Sequence, residues 1–373
     1  LPTTIMTYDI AIIGAGCAGL SLAYQISKNK KINKKIIILD KKSEFKKDRT
    51  WSFWKIDEHD FEDCLEKQWF RFNLKFQNQL KLFEKSIYPY QTINSLKFYE
   101  KIQSTLNDNF ELKLNSNIKT ITKQSDIFEI KTENINIKSK IIFDSRVPKA
   151  DPGNLYQHFY GYEIETTENY FNEKTVTLMD FNCEQKNGVH FFYILPFTNN
   201  RALIETTWLS YLNDLDKKNY IKELETYIQN NLKIKNYNII REEIGAIPMF
   251  RTKSQSDLGH FNIGLRGNIN RMSTGYAFPY IQQHSKMIAN TIDSLSFKKI
   301  ISTKYEFFDR LFIQVLKNNM SIMPNVFFKI FNEHYQNHVI RFLSSKGSLY
   351  DDYQVIRAMP KKLFLKNLLR YGH

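Results

Sequence analysis

Cysteine and histidine are scarce in this sequence, which argues against the folds and sites that depend on them. Only three of the 373 residues are cysteines, and Cys17, Cys64 and Cys183 are odd in number and far apart. This pattern predicts neither a disulfide framework nor a structural zinc site. His334 and His338 stand four residues apart, but no glutamate lies between them to serve as the base of a metalloprotease, so no metal is predicted.

Long apolar runs are also missing. No stretch approaches the ~20 apolar residues that a membrane-spanning helix needs, and no charged segment followed by an apolar one opens the chain. We therefore expect a cytoplasmic protein that meets membranes only peripherally. The formal net charge is +14, but the lysines are scattered and nucleic-acid recognition motifs are absent, so nucleic acid is not a predicted partner.

Aromatic side chains, by contrast, are abundant. Phenylalanine contributes 29 residues and tyrosine 21, and aromatic residues make up 14% of the chain. Such a composition suits a cavity for a large apolar ligand, and it equally suits a core rich in phenylalanine. The chain exceeds the length at which a single core stops growing, so we expect two lobes or one domain with a large insertion.

A glycine motif near the start predicts a dinucleotide site. An apolar run at residues 8–13 leads into Gly14-x-Gly16-x-x-Gly19 and a helical pattern, and Asp40 ends the next apolar run. In a βαβ unit Gly14 permits the tight turn, Gly16 lets the backbone approach the pyrophosphate, and Gly19 lets helix and strand pack closely. Asp40 would accept hydrogen bonds from the adenosine ribose. The alternative is a glycine turn in an α/β protein that binds no nucleotide.

A second glycine-bearing segment, at residues 261–278, favours FAD over NAD. Gly264 lies in an apolar run, and Thr274, Gly275 and Tyr276 begin a predicted helix. The free amides at such a helix start can face the edge of a flavin at which negative charge gathers on reduction. We therefore predict an α/β fold with a Rossmann-type FAD-binding domain, with these four residues at the cofactor. An ordinary Ser/Thr helix cap is the alternative.

The rest of the chain divides into a β-rich part and a helical part. Three β-rich stretches between residues 110 and 143 predict a meander that returns to the main sheet, and residues 189–195 and 202–208 predict a hairpin. Apolar residues recur at helical spacing after residue 304. The predicted organisation is a FAD-binding domain at 1–150, a β-sheet substrate lobe at 151–245, a return segment of the FAD-binding domain at 246–300, and a C-terminal helical region at 301–373.

Several motifs occur along the chain in an order typical of one family. They are YDIAIIGAGCAGLSLA at residues 8–23, DRTWSFW at 48–54, IIFDSRVP at 141–148, LIETT at 203–207 and STGYAF at 273–278. In these motifs the sequence resembles the bacterial and plant lycopene cyclases, within the wider glutathione-reductase-like flavoprotein group. The resemblance implies a carotenoid cyclase that requires reduced FAD, receives electrons indirectly from NAD(P)H, and leaves the oxidation state of the carotenoid unchanged.

The family's most specific marker is an acid in an apolar strand, which here is Glu205. By the period of a strand, Glu205 shares one face with Leu203 and Thr207, so its carboxyl has uncharged neighbours and desolvation would raise its pKa. A glutamic acid that stays protonated near neutrality is a candidate to protonate a double bond, with reduced flavin as the competing acid. Relatives often carry a second acid where Thr206 stands. A surface carboxylate paired with a lysine is the alternative for Glu205.

The resemblance also implies the substrates, lycopene and a monocyclic carotenoid, whose ψ ends become β-ionone rings in the series from lycopene to γ-carotene to β-carotene. It places Arg49 and Trp51 beside the flavin, although Arg49 fits a simple ion pair equally well. Glu163 is a second acid or a structural partner, and the structural role is favoured. In residues 361–370 apolar and basic side chains oppose each other on a helix, which predicts a membrane surface as partner; packing on the protein itself is the alternative.

Enzymes of other activities share this fold and are the rival predictions. FAD-dependent monooxygenases, halogenases and prenyl-lipid reductases belong to this group, because a fold alone does not fix a reaction. Gly264-Leu265 stands where many monooxygenases carry Gly-Asp, which disfavours that rival. A basic binding module with a vestigial nucleotide fold is the remaining alternative, and the scattered lysines disfavour it.

Overall fold

The computed structural model describes residues 6–212, 216–252, 258–331 and 336–371. Its strands in chain order are β1 (Met6–Ile13), β2 (Ile36–Leu39), β3 (Thr50–Trp54), β4 (Leu65–Trp69), β5 (Arg71–Phe76), β6 (Gln79–Phe83), β7 (Tyr90–Asn94), β8 (Phe110–Lys113), β9 (Ile118–Gln124), β10 (Ile127–Thr132), β11 (Asn136–Asp144), β12 (Leu155–Glu165), β13 (Thr175–Asp180), β14 (Val189–Pro196), β15 (Arg201–Tyr211), β16 (Asn238–Pro248) and β17 (His260–Asn262). Its α-helices are α1 (Cys17–Lys28), α2 (Ser95–Thr105), α3 (Lys217–Asn230), α4 (Phe278–Asn290), α5 (Thr303–Asn318), α6 (Met323–Ile330), α7 (Gln336–Leu343), α8 (Leu349–Ala358) and α9 (Lys361–Tyr371).

The first sheet is built around the glycine turn. Its strand order is β8-β2-β1-β11-β10-β9, and β17 also pairs with β11. β1 runs parallel to β2 and β11, and β2 runs parallel to β8. α1 packs on β1 and against α2 and α4. The apolar side chains at residues 10–13 in β1 and 36–39 in β2 are buried. This parallel arrangement confirms the predicted Rossmann-type fold.

The predicted meander is only partly right. β9, β10 and β11 are consecutive antiparallel strands, as predicted. The stretch that begins at Phe110 instead forms β8, whose first residue pairs with Ile36 in a parallel ladder at the edge of the sheet. The helix α2 precedes β8, and a strand that follows such a crossover helix can pair parallel, whereas hairpin-linked strands pair antiparallel.

The second sheet has the strand order β16-β12-β15-β14-β13-β5-β6. β14 and β15 form the predicted hairpin, and β15 also pairs antiparallel with β12. β5 pairs parallel with β13, so part of the range 1–150 completes this sheet, and β3, β7 and β4 form a third, small sheet beside it. Residues 50–94 thus contribute strands that lie outside the first sheet. The predicted domain boundaries at 150, 245 and 300 stay predictions.

After residue 300 the chain is helical, as predicted. α5 packs against α9, and α8 packs against α6 and α7. Ser348 and Asp351 form a capping box that begins α8, because each side chain bonds the backbone N–H of the other residue. Within the described residues, no helix combines the length and the apolar character that crossing a membrane requires.

Candidate active site

The glycine turn has the open backbone that a pyrophosphate needs. Gly14 has a positive φ of 98°, and a Cβ there would lie 2.3 Å from the Ser145 Oγ. A Cβ on Gly19 would lie 1.9 Å from the carbonyl oxygen of Gly14, which is the close approach of α1 to β1. In the described part of the chain nothing comes within 4 Å of a Cβ placed on Gly16. The turn therefore leaves space on the side where α1 begins, which suits an anionic group.

Asp40 reaches from the end of β2 toward this turn. One carboxylate oxygen accepts a hydrogen bond from the Ala15 N–H at 2.5 Å, and the other accepts from the Lys42 N–H at 2.8 Å. Each carboxylate oxygen has a second lone pair that these bonds leave for another donor. Asp40 is thus held where the ribose of a dinucleotide would lie, and its role in binding stays a prediction.

The second glycine segment forms a tight loop before α4. Gly264 has a φ of 61°, and a Cβ there would lie 2.7 Å from the Cβ of Ala18 at the start of α1. The Arg271 N–H donates to the Tyr276 carbonyl, and Gly275, with a φ of 71°, donates back to the Arg271 carbonyl. α4 itself begins at Phe278, two residues later than the sequence predicts.

The hydroxyl of Thr274 does not cap α4. It accepts a hydrogen bond from the Tyr276 N–H at 3.2 Å, and Ala277, which precedes the helix, has no side chain that can cap it. No side chain of this loop therefore caps α4, and Pro279 has no N–H, which leaves the N–H groups of Phe278 and Tyr280 at the helix start. That they face a cofactor stays a prediction.

A buried ion pair fixes this loop to the C-terminal helices. The Arg271 guanidinium donates to both carboxylate oxygens of Asp309 in α5, and both side chains are fully buried. Arg271 also donates to the carbonyl of Phe342 at 3.0 Å, and Asp309 accepts from the Ser273 hydroxyl at 2.6 Å. The loop and the helical region are therefore one connected unit.

Arg49 and Trp51 lie on the other side of the loop. The exposed Arg49 guanidinium donates to the Ile244 carbonyl at 2.6 Å, and among the described residues it forms no ion pair. Trp51 packs with Phe98 at 5.0 Å and with Phe278 at 5.9 Å between ring centroids. Trp51 therefore borders the segment where α4 begins, whereas Arg49 contacts β16, and the contact of either residue with a cofactor stays a prediction.

A cavity of about 540 Å³ lies between the second sheet and the C-terminal helices. Glu205, Thr207, Thr274, Gly275 and Tyr276 all line it, so the predicted acid and the predicted cofactor loop meet in one space. The other walls are largely apolar, and the helical side includes a group of phenylalanines, Phe307, Phe308, Phe312, Phe327, Phe331 and Phe342. A largely apolar cavity of this volume with few polar groups suits an apolar ligand.

Glu205 is a buried acid without a polar partner. Its side chain is 7% exposed, and no hydrogen bond or ion pair joins it to any other described residue. Burial raises the pKa of Glu205 well above its usual value, the negative charge of Glu243 raises it further, and the positive charge of Arg241 opposes both effects. The sequence prediction that desolvation acts on Glu205 therefore agrees with its surroundings, and a lysine pair is not found.

Three tyrosines surround the carboxyl. Tyr193 stands opposite Glu205 in the neighbouring strand β14, and its hydroxyl donates to the Tyr90 hydroxyl at 2.9 Å. Tyr276 lines the same cavity, and burial raises the pKa of all three phenols. The phenols therefore stay neutral at physiological pH, so they supply polar but uncharged groups beside the acid.

Glu163 has the structural role that the sequence favours. It is fully buried and accepts hydrogen bonds from the Arg241 Nε at 2.7 Å and from the Lys47 Nζ at 3.1 Å. The Arg201 guanidinium adds a third cation, 3.6 Å from the carboxylate. These contacts engage both oxygens of the Glu163 carboxyl in ion pairs that join β12 to β15 and β16.

Sequence reasoning missed two further features of the site. Gly161 stands directly opposite Glu205 in β12, and a Cβ there would lie 2.6 Å from the Glu205 Cγ. Glu243 occupies the equivalent position on the other side of Gly161, in β16. Glu243 lies 38 residues after Glu205 in the sequence, and the register of three strands brings the two residues near each other. The described residues contain no cluster of three metal-ligating side chains, and His334 lies outside them.

Comparison with models of protein families shows which family the chain belongs to. The model of the family described as "Lycopene cyclase protein" matches residues 9–368. The chain belongs to the lycopene cyclase family. A member from Capsicum annuum, named lycopene beta cyclase, is 26% identical over 314 residues, which are 78% of this chain and 61% of that protein. The chain thus spans less than two thirds of the length of this plant relative. The lycopene beta-cyclase of a Paracoccus species is 24% identical over 76% of this chain and 74% of its own length.

Solved structures of flavoproteins share the fold of this lycopene cyclase family member. A geranylgeranyl bacteriochlorophyll reductase-like protein of Thermoplasma acidophilum superposes with a TM-score of 0.66 at 12% identity, over 97% of this chain and 98% of that one. A flavoprotein/dehydrogenase of Cytophaga hutchinsonii gives a TM-score of 0.65 at 12% identity, over 98% and 100% of the two chains. At this identity the likeness shows the fold alone.

Proposed function

We propose that this chain is a flavin-dependent lycopene β-cyclase, which converts the ψ ends of lycopene to β-ionone rings by way of γ-carotene to β-carotene. One observation carries the proposal: a single apolar cavity joins the unpartnered, buried carboxyl of Glu205 to the loop of Thr274, Gly275 and Tyr276. Kinship with the lycopene cyclase family supports the substrate class.

The residues for the cofactor fit FAD. Gly14, Gly16 and Gly19 would hold its pyrophosphate, and Asp40 its adenosine ribose. Gly264, Thr274, Gly275, Tyr276 and Arg49 would hold the part of the cofactor nearest the cavity. When bound and reduced, with NAD(P)H as the electron source, FAD supplies negative charge beside the reacting end of the carotenoid.

Glu205 acts as the acid in the proposed reaction. Its carboxyl donates a proton to C2 of a ψ end, the C5–C6 double bond attacks the resulting C1 cation, and C6 releases a proton. One proton enters and one leaves, so substrate and product have the same composition. The aromatic walls stabilise the cation and exclude water, which would otherwise trap it as an alcohol.

The exposed part of the cavity lining, in α8 and α9, supports contact with a membrane surface. Ile356 in α8 and Leu365 in α9 line the cavity and are also exposed, by 44% and 58%. Exposed lysines stand beside them in α9, namely Lys361, Lys362 and Lys366. We propose that this face rests on an anionic membrane, from which an apolar substrate reaches the cavity without crossing water.

Reversal of charge tests the membrane contact. The pair Lys362→Glu and Lys366→Glu should weaken binding to vesicles that contain anionic lipid by about tenfold, because each lysine near such a surface contributes attraction. The matched control is Lys218→Glu with Lys222→Glu on the exposed side of α3, which removes the same charge elsewhere. Equal loss in both pairs, measured by vesicle co-sedimentation, would show a general charge effect and contradict the proposed face.

Expression in cells that accumulate lycopene tests the reaction itself. We expect pigment chromatography to find β-carotene, with γ-carotene as the intermediate, and only lycopene in the same cells without the gene. Product mass separates the rival activities, because a cyclase product keeps the mass of lycopene, a hydroxylase adds oxygen and a reductase adds hydrogen. A heavier product, or unchanged lycopene beside a purified protein without flavin colour, would refute the proposal.

A further inference from the structure

A row of four residues crosses the second sheet at the level of the acid. Glu243 in β16, Gly161 in β12, Glu205 in β15 and Tyr193 in β14 are direct cross-strand partners in successive pairs. Side chains of directly opposed residues point to the same face of a sheet. Gly161 has no side chain, so nothing in its position separates the two glutamates.

Glu243 is held in place by three hydrogen bonds. Its side chain is 3% exposed, and it accepts hydrogen bonds from the Thr50 N–H at 2.9 Å and from the Thr50 hydroxyl at 2.6 Å. The Arg241 guanidinium donates a third hydrogen bond at 2.8 Å. These three hydrogen bonds, one of them from a guanidinium, leave the carboxyl of Glu243 little freedom to turn away from Glu205.

The other groups that face Glu205 do not neutralise the negative charge of Glu243. Arg241 is the cation nearby, but it also pairs with Glu163 at 2.7 Å, so its charge is shared between two buried carboxylates. β14, β7 and the loop before α4 contribute the phenols described above, Tyr193, Tyr90 and Tyr276. The same loop also contributes the guanidinium of Arg271, whose charge is paired with that of Asp309. A negative charge fixed behind an apolar cavity acts at low dielectric, where it is screened weakly.

We propose that Glu243 is a positioning residue that keeps the carboxyl of Glu205 protonated at the pH at which the cavity works. The proposal rests on the proposed function, in which Glu205 must carry a proton when the carotenoid arrives. Glu243 touches neither substrate nor cofactor in this scheme. Its charge makes the loss of the Glu205 proton unfavourable, because that loss would leave two negatively charged carboxylates facing one glycine.

Infrared titration of the Glu205 carboxyl tests the inference without any turnover of carotenoid. The stretch of the protonated carboxyl is assigned by its absence in Glu205→Gln. In Glu243→Gln we expect the midpoint of its titration to move to lower pH by roughly one unit. The matched control is Glu242→Gln: Glu242 is the neighbouring residue, is exposed, and bonds Tyr160 and Lys217, so the midpoint should stay.

Two further measurements keep the inference open to refutation. Glu243→Asp retains the charge and should restore the wild-type midpoint; a shift as large as in Glu243→Gln would show that shape matters and overturn the inference. The wild-type protein provides a second test that needs no variant of Glu243. If Glu205 is ionised at neutral pH in the wild type, the inference is wrong. Either result stands even where Glu243→Gln does not fold.

The pH profile of ring closure separates the two proposals from each other. The alkaline limb of activity should move to lower pH in Glu243→Gln, whereas a merely structural defect would lower activity equally at every pH. Ring closure with an unmoved limb and an unmoved infrared midpoint would overturn the role of Glu243 alone. A shifted midpoint in a protein that closes no rings would refute the proposed function and leave the pairing of Glu205 with Glu243 intact.

Discussion

Two neighbouring residues of β15, Thr206 and Glu205, place buried polar side chains on opposite faces of the second sheet. On the face toward α3, His190 bonds the Thr206 hydroxyl at 2.8 Å, and His158 bonds the Ser210 hydroxyl at 2.8 Å. On the cavity face Glu205, the residue before Thr206, has no such partner among the described residues. The nearby buried acids Glu163 and Glu243 do have partners, so among these three carboxyls the one that lines the cavity is the one without a partner. An unpaired buried carboxyl in a cavity is a candidate for a functional group.

The comparison also explains the departure at Thr206 from many relatives. Neighbouring residues of a strand point to opposite faces, so an acid at this position would lie on the α3 face and away from the cavity. Of these two positions Glu205 is the one that faces the cavity, so the proposed role in protonation concerns Glu205, whereas the Thr206 hydroxyl bonds His190.

The largest effect is expected from Glu205→Gln. The amide keeps the shape of the side chain but has no proton to give, so ring closure should fall by at least about 100-fold while flavin is retained. Pigment chromatography and the flavin absorption of the purified variant measure the two properties. Retained cyclisation with bound flavin would remove Glu205 from the mechanism. The lack of a partner for its carboxyl would then have no catalytic significance.

The next largest effect is expected from Gly161→Ala. A Cβ would meet the Glu205 Cγ at 2.6 Å and the Ile204 carbonyl oxygen at 3.1 Å, so the acid must move. Displacement of a catalytic group by about 1 Å can lower a rate by about 100-fold, and we expect ring closure to fall toward that extent with flavin still bound. Gly153→Ala is the control, because its Cβ would make only an ordinary contact at 3.4 Å. Equal activity of both variants would contradict the position assigned to Glu205.

Local patterns and long-range pairing differ in how well the sequence predicts them. The βαβ unit, the hairpin and the face of Glu205 follow from periodicities within a few residues, and the structure confirms them. Gly161 and Glu243 become neighbours of Glu205 only through the register of β12 between β15 and β16. The partner of β8 was mistaken for the same reason, since a four-residue strand carries little information about which strand it joins.

The pH dependence of stability should have opposite signs on the two faces. Burial lowers the pKa of His158 and of His190 to about 4, from a usual value of 6.5. Between these values the unfolded chain binds protons that the folded chain does not, so the free energy of unfolding falls as pH falls through this window. Glu205 has a raised pKa, so the folded chain holds a proton that the unfolded chain loses above its usual value of 4.5, and stability falls as pH rises.

Denaturant unfolding measured from pH 4 to 8 separates these contributions. His158→Gln should flatten the acid side of the stability curve, because one imidazole no longer takes up a proton on unfolding. Glu205→Gln should be more stable than the wild type above pH 5 by an amount that grows with pH. A Glu205→Gln curve parallel to that of the wild type above pH 5 would mean that the acid titrates as if exposed.

The smallest effect on activity, and a clear one on stability, is expected from Thr206→Val. Valine keeps the volume and β-branch of threonine but removes the hydroxyl that bonds the His190 Nε2, which leaves a buried ring nitrogen without its partner. An unsatisfied buried group of this kind costs about 1–3 kcal/mol, which denaturant unfolding at neutral pH would detect. Ring closure per bound flavin should stay at the wild-type level, since the side chain points away from the cavity; a loss of activity comparable to that of Gly161→Ala would show that the two faces are not independent.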